Sequence, residues 1–412
     1  MTNKKILNLF LILSCAIFIL ECGQSSSVDP TFHPGVSGNV ATQTPQVIAS
    51  NFIATAESTG STSPVDLTTP DSVTFTLTAT TTVAIDYWAE GAEGSSTGNM
   101  NNNLYIDGSA TSADDSSMSL FGGYAGHSGL RSIQTLPAGS HTVDIKHSIN
   151  TAIDTWNDRL LMVTPAPTLI AWSAVTTDET TSSSTLTDTA TPDSISFTLG
   201  SSTPVVLSYV GEQYNICGGA TALNGLSIDG TDDNNSLQTS LVLNGFGTMT
   251  TIQYVPTLAA GAHTIKAQHA TTGCQMHFLK RYLVAYQSTN FALATNFVAT
   301  TESSSSTSYT DLATPDQTTV TLTAPANVVI QYFANILETG SGGSPGNAVM
   351  VDGVLDTTTL NRASVLNGVS STSMTMTKVS LAAGTHTIKV QHITDAGTAQ
   401  WSNRQLTAIL VP

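Results

Sequence analysis

Basic residues are scarce in this sequence. Its 412 residues include 12 Lys and Arg against 29 Asp and Glu, a formal charge of −17. A surface this negative repels phosphate backbones, which excludes nucleic acid as a partner. Charge is sparse overall: 10% of residues are charged and 40% are apolar, which excludes a chain held open by its own charge. Sustained helical periodicity is missing too, leaving strands with apolar inward faces and hydroxyl-bearing outward faces. The chemistry-bearing signatures are also absent. There is no His-Glu-x-x-His, phosphate loop or dinucleotide fingerprint, and no nucleophile, base and orienter recur together. Gly94 to Gly98 matches the hydrolase elbow by letter, but that motif needs a strand-to-helix turn. Here it lies in a Gly/Ser-rich loop. The expectation is a protein that is not an enzyme and holds no cofactor.

Long apolar runs are likewise few, and the informative one opens the chain. After the basic start Met1–Lys5, Ile6 to Leu20 is apolar except for Asn8, Ser14 and Cys15. Such a run is short of the ~20 residues that span a bilayer, yet suits the core of an export signal. It ends at Glu21-Cys22-Gly23-Gln24, followed by Ser25, Ser26 and Ser27. This segment resembles the bacterial lipoprotein signal, with Glu21 replacing the usual small residue. The resemblance implies removal of residues 1–21, lipidation of Cys22, and a chain anchored to a membrane without crossing it. The mature chain would keep 12 − 2 = 10 basic and 29 − 1 = 28 acidic residues. The alternatives are lipidation at Cys15, behind Ile12-Leu13-Ser14, and an ordinary secretory signal. The expected location is the outer membrane or cell surface, alternatively the periplasm or the medium. Residues 22–47, rich in Ser, Pro, Gly and Thr, read as a flexible tether.

Beyond the tether the chain is a repeat. Thr69-Pro70-Asp71 returns as Thr191-Pro192-Asp193 and Thr314-Pro315-Asp316. Ile106-Asp107-Gly108 returns as Ile228-Asp229-Gly230 and Val351-Asp352-Gly353. The segment from Leu136 to Val143 returns from Leu258 to Ile265 and from Leu381 to Ile388. Each landmark moves by 122 residues and then by 123, so the three units are folded and their loops keep fixed lengths. They run over 48–165, 168–287 and 290–412. Val73, Phe75 and Leu77 alternate with threonines, and Val83, Ile85 and Tyr87 form a second alternating run. Each unit then has an Asp-Gly turn signal. About eight short strands per unit predict an all-β chain of three tandem antiparallel β-sandwiches of jelly-roll type.

Candidate sites have two readings each. His141 and His147 bracket one strand, as do His263 and His269, and His386 and His392. Six residues of strand span ~20 Å, so the two cannot share a metal; they read as core-facing strand ends with hydrogen-bond partners. Arg159, Arg281 and Arg404 open the last strand, paired with Asp71 or Asp107 and their equivalents. Three residues earlier stand Trp156, Phe278 and Trp401. Aromatic and arginine together make either a ligand platform at a loop end or packing beneath the loop. Trp88, Val210 and Phe333 face away from Val83 and its equivalents, toward a sandwich edge or a neighbouring copy. Cys217 and Cys274 follow the third and seventh strands of the second copy, which puts them at one end of the sandwich. A disulfide is expected there, and no recurring neighbour completes a zinc site. Asp114-Asp115 and Asp232-Asp233-Asn234-Asn235 are acidic, but neither has the spacing of a calcium loop. No metal is expected.

The unit length, the strand count and the Leu-x-Ala-Gly-x-His-Thr strand are similar to the jelly-roll modules of C1q/TNF-type proteins. Some phage-tail and carbohydrate-binding proteins share them. That resemblance implies fold but no binding residues. Two functions are consistent with it. One is an anchored surface lipoprotein whose repeats bind a host or environmental protein or glycan. The other is a structural or assembly protein, since C1q-like domains often trimerise and three linked copies suit an internal pseudo-threefold axis.

Overall fold

The computed structural model describes residues 46–412 apart from 94–97, 112–115, 121–124, 151–152, 167, 218, 243–246, 340–342, 360 and 363–369. The first copy comprises β1 (Ala49–Ile53), β2 (Glu57–Thr59), β3 (Asp71–Leu77), β4 (Thr81–Glu93), β5 (Gly98–Ile106), β6 (Ser109–Ala110), β7 (Ser116–Leu120), β8 (Ala125–Leu136), β9 (Gly139–Ile149) and β10 (Asp154–Pro165). The second has β11 (Leu169–Val175), β12 (Glu179–Thr181), β13 (Asp193–Leu199), β14 (Thr203–Asn215), β15 (Ala220–Ile228), β16 (Thr231–Val242), β17 (Gly247–Tyr254), β18 (Thr257–Leu258), β19 (Gly261–Thr272) and β20 (Met276–Gln287). A single helical turn, α1 (Ser288–Phe291), leads to the third copy. This contains β21 (Ala294–Val298), β22 (Glu302–Ser304), β23 (Asp316–Leu322), β24 (Ala326–Glu338), β25 (Gly346–Val351), β26 (Val354–Leu355), β27 (Asn361–Arg362), β28 (Ser370–Leu381), β29 (Gly384–Ile393) and β30 (Ala399–Val411).

Each copy is two antiparallel sheets. In the first, one sheet has the order β1-β10-β4-β8 and the other β3-β9-β5-β6. The second repeats this as β11-β20-β14-β17 and β13-β19-β15-β16, the third as β21-β30-β24-β28 and β23-β29-β25-β26. Successive long strands cross between sheets, which is the jelly-roll winding. The expected fold class holds. Locally the cause is period-two patterning: along β3, Asp71, Val73, Phe75 and Leu77 are buried while Thr74 and Thr76 are exposed. Asp107 and Gly108 both take positive φ, 52° and 78°, as a tight hairpin demands. Asp107 then ties the turn to β9: Oδ1 accepts the Thr142 amide at 2.9 Å, and Oδ2 lies 2.8 Å from His141 Nδ1. Asp229 with His263 and Asp352 with His386 repeat the arrangement.

The three sandwiches share one further core. Ala84, Trp88, Leu160 and Met162 of the first copy, Val206, Val210, Val284 and Tyr286 of the second, and Val329, Phe333, Met374 and Ile409 of the third join a single buried cluster. All come from the outward faces of the β4/β10/β8-type sheets. Trp88 meets Phe333 edge-on with ring centroids 6.2 Å apart. Polar contacts run around the same centre in one sense. Arg131 on β8 pairs with Asp86 at 2.5 Å and reaches the Ser208 carbonyl of the second copy at 3.1 Å. Gln253 on β17 donates to Gln331 of the third copy at 3.2 Å. Lys378 on β28 donates to Ser50 of the first at 2.9 Å. First touches second, second touches third, and third touches first, so the three copies close a ring.

Asp86, Ser208 and Gln331 stand at one equivalent position, opposite Arg131, Gln253 and Met376. In a homotrimer one residue would fill all three positions; here one copy carries an ion pair and the other two carry neutral partners.

Candidate functional site

The recurring polar residues converge inside each sandwich. In the first copy Asp71 is the hub: its carboxylate accepts from Arg159 Nε at 3.1 Å and Tyr87 OH at 3.1 Å, and lies 2.8 Å from His147 Nε2. Glu57 holds the far side of the guanidinium, with Arg159 Nη2 3.4 Å from its Oε2, and accepts the Thr69 amide at 2.9 Å. Asp316 with Arg404, Tyr332 and His392 reproduces the hub, and Asp193 with Arg281 and His269 reproduces it without the tyrosine bond, since Tyr209 OH is buried with no hydrogen-bond partner. Burial pushes the His147 and His269 rings below the ordinary imidazole range and Tyr87 well above the usual phenol range. These histidines are therefore neutral supports. Asp71, Asp193 and Asp316 were half-legible in the sequence as arginine partners. Glu57, Glu179 and Glu302 were missed, although they recur with the same 122- and 123-residue spacing.

The expected aromatic–arginine ligand platform is not formed. Trp156, Arg159, Phe278, Arg281, Trp401 and Arg404 are all 0% exposed. Positions three apart would normally face opposite sides of a strand. A bulge lies between them, where Asp158, Lys280 and Asn403 take φ of 45–47°, and it turns aromatic and arginine to the same inward face. The alternative reading, packing beneath the loop, is the one realised. Trp156 and Trp401 donate to Asn102 and Asn347, each at 3.0 Å. Where Phe278 has no N–H to give, Asn224 Oδ1 instead lies 2.8 Å from His269 Nδ1.

One surface constellation belongs to the second copy alone. Tyr214 and His277 are cross-strand partners whose rings stack at 4.3 Å. Asp178 accepts Tyr214 OH at 2.6 Å and stands 3.1 Å from His277 Nδ1. His277 Nε2 is buried without a hydrogen-bond partner. Desolvation, with Asp178 alongside, pushes Tyr214 up to about 12. Three residues beyond Tyr214 and three before His277, Cys217 and Cys274 form the expected disulfide. The equivalent positions of Tyr214 and His277 hold Ala92 and Thr155, and Leu337 and Gln400.

Trp88, Val210 and Phe333 lie in the shared central core, the neighbouring-copy alternative. Asp232 and Asp233 fall within β16; Asp114 and Asp115, with Cys15 and Cys22, lie outside the described residues. Among the described residues no group of three or more His, Cys, Asp or Glu is placed to hold a metal ion.

No family model matches the chain, and no curated protein matches its sequence. Solved structures with some likeness include the N-terminal CBM22-1-CBM22-2 tandem domain of Paenibacillus barcinonensis Xyn10C. It is 13% identical over 57% of this chain and 93% of that one, with a TM-score of 0.19. A chain of the Sulfolobus Turreted Icosahedral Virus is 10% identical over 84% of this chain and 85% of its own, TM-score 0.21. An archaeal-virus protein with a triple jelly-roll fold is 10% identical over 84% and 91%, TM-score 0.19. At these TM-scores the fold rests on the strand order itself.

Proposed function

We propose that this chain is a pre-assembled, pseudo-trimeric binding head, tethered to a membrane by a lipid on Cys22. The observation that carries the reading is the central apolar cluster drawn from all three copies. It fuses the sandwiches into one body, so what faces solvent differs from copy to copy. The recurring hubs around Asp71, Asp193 and Asp316 are buried in each copy and not available to a ligand, and the recurring Asp107–His141 type pairs are engaged in holding their turns. Recognition therefore falls to features that do not recur, of which the Tyr214–His277–Asp178 cluster is the best defined. A head of this kind takes one protein or glycan ligand per chain rather than three, and performs no catalysis.

Screening the full-length protein on glycan and matrix-protein arrays, followed by calorimetric stoichiometry, tests this. One ligand per chain, lost on Tyr214→Ala, is expected; three equivalent sites, or blank arrays, overturn it. Small-angle scattering should return a compact monomer. Mass spectrometry of the N-terminal peptide should find Cys22 diacylated and residues 1–21 gone.

A further inference from the structure

Three seams join the copies, and one recurring position is built differently in each. Asp158, Lys280 and Asn403 fill the same bulge on β10, β20 and β30, all with positive φ. Glu90, Glu212 and Asn335 occupy the matching place on β4, β14 and β24. In the third copy both residues reach the second: Asn403 Nδ2 and Asn335 Nδ2 each donate to the Leu237 carbonyl at 2.8 Å. In the second copy Lys280 Nζ lies 3.6 Å from Glu212 Oε2. The first copy has two carboxylates there.

Asp158 is 5% exposed, and its Oδ1 is buried without a hydrogen-bond partner. Its Oδ2 accepts Asn157 Nδ2 at 3.3 Å, and the same amide reaches Glu90 Oε2 at 3.2 Å. From across the seam acts Asp356 of the third copy, whose Oδ2 accepts Thr377 Oγ1 at 3.0 Å. Glu90 and Asp356 both disfavour a negative charge on Asp158, and no cation among the described residues offsets them. Lys378 on β28 is engaged by Ser50 and the Pro412 carbonyl. His127 on β8, opposite Glu90, accepts the Met374 amide of the third copy at 3.4 Å. A buried carboxyl group beside two like charges keeps its proton. As a neutral acid it has the shape and the donor that Asn403 uses on the second copy.

This seam is also the one that no linker reinforces. Residues 166–168 join the first copy to the second and α1 joins the second to the third, whereas the first and third meet through their surfaces alone. We infer that Asp158 is an acid-set latch between the first and third copies: protonated, it holds that seam shut, and its ionisation opens the ring there while the other two seams stay closed. An exposed aspartate ionises at about 3.9. In the closed seam, burial and then the charges of Glu90 and Asp356 push Asp158 up to about 8. Between those values the closed form carries one proton more than the open one. Its advantage is complete below about 3.9, shrinks by up to about tenfold per pH unit, and is lost above about 8.

Amide hydrogen exchange in the full-length protein across neutral pH tests this. The Met374 amide reports the first–third seam through His127, and the Thr239 amide, 3.2 Å from Asn335 Oδ1, reports the second–third seam. Taking the ratio of their exchange rates cancels the intrinsic pH dependence of exchange. The ratio should climb with pH by up to about tenfold per unit and level off at about 8. Asp158→Asn, which places the third copy's own amide in the first, should flatten the climb. His127, Asp154 and Glu338 are present in both proteins, so their contributions cancel in the comparison. Carboxyl-carbon NMR of the unmutated protein tests the same point without a variant, and should find Asp158 protonated at neutral pH. A ratio that does not vary with pH overturns the latch, as does a climb that Asp158→Asn leaves unchanged. So does an Asp158 carboxyl that ionises in the ordinary carboxylate range in the folded protein.

Discussion

Trp88 offers the sharpest test of the central core. Its indole is 3% exposed, and it lies across Gly129 on the neighbouring strand, its register partner. A Cβ on Gly129 would stand 2.2 Å from Trp88 Cε3, so glycine there is a slot for the ring. Truncating Trp88 to Ala should cost ~3–5 kcal/mol, the usual range for a buried aromatic. About 0.5–1.5 kcal/mol of that is the edge contact with Phe333. Gly129→Ala alone should cost ~1–3 kcal/mol by overpacking. In the Trp88→Ala background the same change should be neutral or stabilising by about 0.5–1 kcal/mol, because the slot is empty and strand glycine is itself unfavourable. Urea denaturation of the four proteins gives the coupling energy, and small-angle scattering reports whether the ring loosens. A Trp88→Ala loss below about 1 kcal/mol, or an equal cost of Gly129→Ala in both backgrounds, would refute the shared core.

The buried hubs and turns give further outcomes. Arg281→Met strands Asp193 without its guanidinium and should destabilise by ~3–5 kcal/mol, whereas Arg281→Met with Asp193→Asn should cost less; chemical denaturation separates them. Reducing the disulfide that spans 57 residues should remove roughly 4 kcal/mol on the chain-entropy model, seen as a lower melting temperature with reductant. Hydrogen bonds donated to Asp107 and Asp352 raise His141 and His386, and His263 rises through those donated to the Ala259 carbonyl and Asp229. The stability these raised histidines give is complete below about 6.5 and lost as pH rises through their folded values. His147 and His269, lowered by burial, act oppositely: below about 6.5 the unfolded chain binds their protons and the folded one does not, so stability falls. Histidine NMR titration should show these two classes; uniform midpoints would exclude the assignment.

Much of this protein was legible along the chain. Constant spacing between Pro70, Asp107 and His141 and their counterparts marked three folded units, because loops of unchanged length imply unchanged turns. Period-two alternation assigned Val73, Phe75 and Leu77 to a core face. It also turned Trp88, Val210 and Phe333 outward, toward the edge or neighbour that proved to be the central cluster. The placement of Cys217 and Cys274 in loops at one end of the sandwich foretold their bond. Tertiary structure decided the rest. A residue of positive φ at Asp158, Lys280 and Asn403 resets strand alternation, so Trp156 and Arg159 both turn inward and the expected platform disappears. The hub around Asp71 joins residues 102 apart in sequence, Glu57 and Arg159, and no local pattern encodes such a distance. Closure of the ring is likewise a property of three surfaces together. One sheet of each copy carries an apolar outer stripe, and only the three stripes buried together make the central core.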